Sequence, residues 1–101
     1  MANGAANGSM RLDRFLWFAR LAKTRSAAQA IAEKGTLRLD GRRIERSAAP
    51  VRVGAILVFP RLGGVMALRV EALPKRRGPP AEAAALYSAL TTSSPASDDP
   101  D

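Results

Sequence analysis

The chain is predicted to be α+β: two N-terminal helices packed on a small, mostly antiparallel sheet of about four to five strands, with a short helix near the C-terminus. Three observations predict it. Apolar residues recur at helical spacing through residues 12–33, and that pattern closes at Gly35. From Thr36 onward the spacing changes to alternation, with Asp40-Gly41 and Gly63-Gly64 as turn signals. A length of 101 residues with 47% hydrophobic composition suffices for one small domain with a modest core, not for two.

The first helix is expected over residues 12–22. Leu12, Phe15, Leu16, Ala19 and Ala22 form one core-facing stripe, and Asp13 lies in the first turn, where a carboxylate complements the positive end of the helix dipole. Trp17, Phe18 and Leu21 form a second apolar strip beside Arg14, so this helix needs a second partner. Packing of Trp17 and Phe18 on the C-terminal helix through Leu86, Tyr87 or Leu90 is preferred over stacking on unpaired bases, because aromatic rings mostly serve cores. Lys23-Thr24-Arg25 leads into the second helix. Thr24 or Ser26 can cap it, and Ser26 with Gln29 three residues on fits a capping box. Ala27, Ala28 and Ile31 are expected inward, with Ser26, Gln29 and Glu33 outward. Lys34 suits the negative end of this helix, and Gly35 is its left-handed stop.

The remaining elements read as strands. Leu37 and Leu39 point inward around Arg38, and Asp40-Gly41 turns the chain into Arg42-Arg43-Ile44. Val51 and Val53 alternate around Arg52, Gly54 turns into residues 56–59, and Pro60 ends that run. Residues 65–73 follow, with Met66, Leu68 and Val70 on one face. Pro74 to Gly78 is a basic loop, and Pro79-Pro80 opens a helix expected over residues 81–90. The organisation is then a disordered leader (1–9), a core domain (10–74), a basic loop with a helix packing on that domain (75–90) and a disordered acidic tail (91–101). The leader lacks the basic start and apolar core of a signal peptide.

Charge narrows the function. All 16 Lys and Arg residues lie between Met10 and Arg77 with only five acids, and the whole chain carries a net charge of +7. Such a field attracts polyanions, nucleic acid first. With no cysteine there is neither a disulfide framework nor a thiolate metal site, and with no histidine the commonest general base and metal ligand is missing. No catalytic residues, metal, cofactor or small-molecule substrate are therefore expected, and the chain is not expected to be an enzyme. No apolar run approaches the roughly 18 residues needed to span a bilayer, so no membrane role is expected and a cytoplasmic location is.

Phosphate contacts dominate affinity for nucleic acid, and arginine offers bidentate donors to phosphate oxygens. Arg11 and Arg14 flank the start of the first helix. Lys23, Thr24, Arg25 and Ser26 sit where the second begins, with Gln29 farther along; free amides at a helix N-terminus are themselves an anion site. Arg38, Arg42 and Arg43 lie on or beside the hairpin, and Lys75, Arg76 and Arg77 are possible secondary contacts. Arg20, Arg52 and Arg69 are expected to lay their stems over apolar surface.

RLDRFL, KTRSAAQAI, the closing glycine, DGRRI and VRVGAILVF follow in order and spacing the small RNA-binding domain named after ribosomal protein S4. LWFARLAKTR and KRRGPPAEAAALY resemble the heat shock protein 15 group of that family in particular. Two departures stand out: Gly54-Ala55 replaces the family's usual Gly-Asp, and the sequence ends acidic where those relatives continue into a basic helix. The resemblance implies the alpha-L RNA-binding motif, in which two helices and a hairpin form the binding face. It implies structured RNA as partner, specifically large-subunit ribosomal RNA, with tRNA on a stalled subunit awaiting recycling as a second partner. A monomer is expected. The alternative is a module for duplex DNA or an acidic protein.

Overall fold

The computed structural model describes residues 8–61 and 63–90. Strand β1 (Ser9–Arg11) leads into helices α1 (Leu12–Phe18) and α2 (Arg25–Glu33), followed by β2 (Leu37–Leu39), β3 (Arg42–Ile44), β4 (Pro50–Arg52), β5 (Ile56–Arg61), β6 (Gly64–Val70), helix α3 (Pro80–Ala84) and β7 (Tyr87–Ala89). The α+β class holds. Five strands form one antiparallel sheet in the order β3-β2-β5-β6-β7, and β1 pairs with β4 in a separate ladder.

The core lies between the helices and one face of the larger sheet. Leu12, Phe15 and Leu16 of α1 are fully buried with Leu37, Leu57, Phe59, Leu68 and Val70 of the sheet. Alternation on β5 and β6 places Leu57, Phe59, Leu68 and Val70 inward, as period-two patterning demands. The N-terminus of α1 has no side-chain cap. Its Leu12 and Asp13 amides donate instead to the carbonyls of Ala49 (2.9 Å) and Ser47 (3.0 Å), which ties the loop after β3 to the helix start.

The Asp40-Gly41 hairpin forms as expected, with φ of 53° and 85° at its two central residues, the signature of a type I′ turn. Asp40 also locks the hairpin to β5, since its carboxylate accepts from the Ile56 amide at 2.9 Å. Gly35 ends α2 with φ 87°.

Several boundaries differ from expectation. Helix α1 stops at Phe18 because Arg20 adopts φ 61°, and the amides of Leu21 and Ala22 fold back onto the Leu16 carbonyl. Ala19, Leu21 and Ala22 remain buried, delivered to the core by this tight turn. Helix α2 begins two residues earlier than a Ser26 cap requires. Thr24 is the cap, accepting from the Ala27 amide at 3.0 Å, so the Ser26–Gln29 capping box does not form. Its deepest face is Ala28 and Ala32, with Ala27 and Ile31 half-buried beside them. Val53 is 59% exposed, since β4 ends at Arg52 and Gly54 turns the chain with φ 92°.

The ends depart furthest. Ser9, placed in the leader by sequence, is the first residue of β1 and pairs with Arg52; residues 1–7 of that leader and the whole of the expected tail lie outside the described residues. The C-terminal helix is only five residues long. Tyr87–Ala89 extend instead along β6, opposite Val70 and Leu68. The open edge of β6 presents unpaired amides and carbonyls, and satisfying them outweighs the helical preference of alanine and leucine.

Candidate nucleic-acid interface

Basic side chains gather where α1 ends and α2 begins. Trp17 and Phe18 close α1 with ring centroids 5.4 Å apart. The Arg14 guanidinium lies 5.9 Å from the Phe18 centroid, one helical turn back, and Arg25, the first residue of α2, lies 5.6 Å from the Trp17 centroid. Arg77 reaches the same indole from the late loop, 5.2 Å from its centroid, and its Nε donates to the Trp17 carbonyl at 3.0 Å. The expected partner for these rings was a C-terminal helix through Leu86, Tyr87 or Leu90. That helix ends at Ala84; Trp17 is partly buried against the core cluster that includes Leu86, and Arg25 and Arg77 lie over its ring. Arg14, Lys23, Arg25 and Arg77 have no carboxylate partner among the described residues. Lys23, Thr24, Arg25 and Ser26 are all exposed at this helix start.

Along α2 the charge is more balanced. Arg11 donates from Nε and a terminal nitrogen to both carboxylate oxygens of Asp13, at 3.0 and 2.9 Å. Burial pushes the Asp13 carboxyl up, but hydrogen bonds and charge from Arg11, the Arg14 amide and the Gln29 side chain more than offset that, so its pKa lies below the ordinary carboxylate range. The far end of α2 meets the hairpin: a Cβ at Gly35 would lie 3.0 Å from a guanidinium nitrogen of Arg43. Arg43 itself pairs with Glu45 at 2.9 Å. Helix α2 thus spans the gap from the basic helix start to the hairpin, about 13 Å at 1.5 Å per residue.

On the hairpin Arg38 stands directly opposite Arg43, and Arg42 opposite Leu39. Like charges opposed across strands are destabilising unless an anion lies over them. Arg38 and Arg42 are exposed and free of ion pairs among the described residues. Beside them run two adjoining cavities of about 460 and 490 Å³ that share Leu39, Asp40 and Pro50, rimmed by Arg42 and Arg46 in one and Arg52 in the other. Arg46 and Arg52 were not foreseen as site residues. The fold creates their proximity by returning the chain from β3 to β4; the one sequence signal was their position just after the hairpin.

Three further cations are committed to the protein. Arg76 pairs with Glu82 at 2.8 Å, and Arg69 pairs with Glu71 at 3.2 Å, where Ser88 also donates to the carboxylate. Arg20 donates from Nε to the Gly78 carbonyl at 2.7 Å. The structure therefore splits the late basic triplet: Arg77 joins the α1–α2 cluster, Arg76 is tied down and Lys75 is exposed. No three His, Cys, Asp or Glu residues approach closely enough to hold a metal among the described residues. What remains is a row of guanidinium and ammonium groups suited to phosphate oxygens.

Known proteins resemble this chain in sequence and fold. The sequence profile of the S4 domain matches residues 10–57. A heat shock protein 15 homolog of Haemophilus influenzae is 38% identical over 89 residues, covering 87% of this chain and 66% of the relative. Heat shock protein 15 of Escherichia coli K12 is 36% identical over 78 residues, covering 77% of this chain and 58% of the relative. The chain thus spans less than two thirds of the length of either curated relative. The solved structure of Vibrio cholerae heat shock protein 15, described as trimeric, superposes with a TM-score of 0.76 at 30% identity, covering 81% of this chain and 82% of that one.

Proposed function

This chain belongs to the S4-domain family of RNA-binding proteins and, within it, to the heat shock protein 15 group, and we propose from that premise that it binds structured ribosomal RNA of the large subunit. One observation carries the reading: exposed cations without carboxylate partners concentrate at the start of α2 and on the hairpin, at opposite ends of one short helix. A folded RNA can lay its backbone along such a row. Two short helices and a small sheet offer no long recognition helix for a DNA major groove, whereas RNA is often recognised by shape and backbone.

The biological role we assign follows the family: recycling of large subunits still carrying peptidyl-tRNA, in the cytoplasm, with tRNA as a second contact. No described helix is long and apolar enough to cross a membrane. The charged row comes from a single chain, which supports a monomeric binding unit even though the Vibrio cholerae relative is trimeric; light scattering on the free and RNA-bound protein decides between one copy and three. The functional test is co-sedimentation with ribosomal particles through a sucrose gradient at near-physiological salt, with excess nonspecific RNA and, separately, duplex DNA as competitors. Migration with the large subunit despite both competitors is expected. A protein stripped by any RNA loses the ribosomal assignment, and one stripped equally by duplex DNA loses RNA preference as well.

A further inference from the structure

We infer that Arg77 completes one phosphate-binding site with Arg14 and Arg25, built on the Trp17–Phe18 pair, so that the loop before α3 belongs to the primary RNA face instead of forming a separate contact. The inference rests on the RNA-binding reading above and specifies its geometry.

Three guanidinium groups converge on two adjoining rings, at 5.9, 5.6 and 5.2 Å from the ring centroids. They come from three separate places in the chain, the middle of α1, the start of α2 and the late loop. Each ring attracts cations through its negative face, but the charges repel one another, and no described carboxylate pairs with any of the three. A cluster of this kind is relieved by a polyanion. Stacking also leaves the N–H edges of a guanidinium outward, the geometry that binds phosphate bidentately.

The late loop is held for this task at two points. The Arg77 Nε donates to the Trp17 carbonyl, and the Arg20 Nε donates back to the Gly78 carbonyl. Arg20 holds a left-handed backbone with φ 61° there, a conformation disfavoured for a non-glycine residue. The neighbouring Arg76 is drawn aside by Glu82, whose carboxylate packs so closely on Gly78 that a Cβ there would lie 2.6 Å from it. With Nε committed, the two terminal nitrogens of Arg77 remain for a ligand. Two anchors fix the guanidinium before binding, which reduces the ordering cost at the moment of contact. The ligand is a phosphodiester backbone whose consecutive phosphates bridge from the start of α2 to the late loop.

The test measures affinity for deproteinised large-subunit ribosomal RNA across a salt series, for the wild type and for Arg77→Gln, Arg25→Gln and Arg69→Gln, with thermal melting of each. Arg77→Gln and Arg25→Gln are each expected to weaken binding about fivefold and to reduce the log–log salt slope by roughly 0.7–0.9. Arg69→Gln, which lies at the Glu71 pair, is the reference. A wild-type slope in Arg77→Gln beside a reduced slope in Arg25→Gln overturns this inference and leaves the RNA face standing. Wild-type slopes in both remove the face itself. If Arg77→Gln melts below the assay temperature, Arg77→Lys carries the test: it keeps the charge and slope but loses about threefold in affinity, and wild-type affinity in that variant marks Arg77 as a structural pin only.

Discussion

Two segments of this chain carry nearly the same sequence signal, a basic run leading into a helix: Lys23-Thr24-Arg25, which enters α2 at Arg25, and Lys75-Arg76-Arg77 ahead of α3. Their fates differ. In the first, Thr24 spends its hydroxyl on the helix cap, and Lys23 and Arg25 stay exposed and free of carboxylates. In the second, Arg76 is paired with Glu82 and Arg77 is bonded to the Trp17 carbonyl. The helices differ too. Helix α2 runs nine residues with a side-chain cap, whereas α3 has five, begins at a proline that lacks an amide proton, and has no cap. Composition therefore does not separate a cation that binds a partner from one that holds the fold. The separating variable is whether a carboxylate brought near by folding already pairs with the side chain.

The largest test of that distinction is salt. If uncommitted cations carry binding, RNA affinity falls steeply with ionic strength, by about 250-fold between 50 and 200 mM salt for a slope near four units. A flat response breaks the comparison at once. Next come single charge reversals. Arg38→Glu and Arg42→Glu are each expected to weaken RNA binding about tenfold, since neither is ion-paired among the described residues, while Arg76→Glu changes it less than threefold. A tenfold loss in Arg76→Glu would show that its ion pair gives way to RNA.

A smaller effect comes from Asp13, which is 7% exposed and bonded to Arg11. Its folded pKa is depressed, so it contributes stability that is present above its unfolded value of about 3.9 and is lost as pH falls through the folded value. Asp13→Asn should cost about 1 kcal/mol at pH 7, and the difference from wild type should shrink steadily below pH 4. Freed from its partner, Arg11 should then raise RNA affinity by about twofold at constant low salt. Thermal melting against pH checks the first statement and titration checks the second; lower affinity in the variant would place Arg11 outside the face. Smallest is Arg43→Thr, which relieves the opposition to Arg38. It should change hairpin stability by only a few tenths of a kcal/mol while weakening RNA binding two- to threefold.

Local chemistry was legible wherever it decides the outcome alone. The Gly35 stop, the Asp40-Gly41 turn and the alternation of β5 and β6 follow from backbone conformation and period, and the structure repeats them. Distant partners decided the rest. Nothing in residues 85–90 marks them as a strand, because β7 exists only where β6 offers an open edge. Nothing around Arg20 announces a left-handed residue; its stabilising contact, Gly78, lies 58 positions away. Gln29 reads as half of a capping box, yet the cap falls on Thr24, two residues before Ser26, and leaves Gln29 out of capping range. The candidate site divides in the same way. Its basic clusters were visible as runs, whereas Arg46 and Arg52 beside the hairpin, and the separation of Arg76 from Arg77, depend on which acceptors folding brings near.

The most direct measurement compares Arg25→Glu with Arg69→Glu for binding to large-subunit ribosomal RNA at one salt concentration, with both variants confirmed folded. The two substitutions change net charge identically and differ only in place: Arg25 opens α2 against Trp17, while Arg69 lies on β6 paired with Glu71. A loss of about thirtyfold for Arg25→Glu against less than threefold for Arg69→Glu is predicted, since charge at a phosphate contact counts for more than charge at large. Equal losses would mean that RNA responds only to total charge, and the binding face described here would not exist.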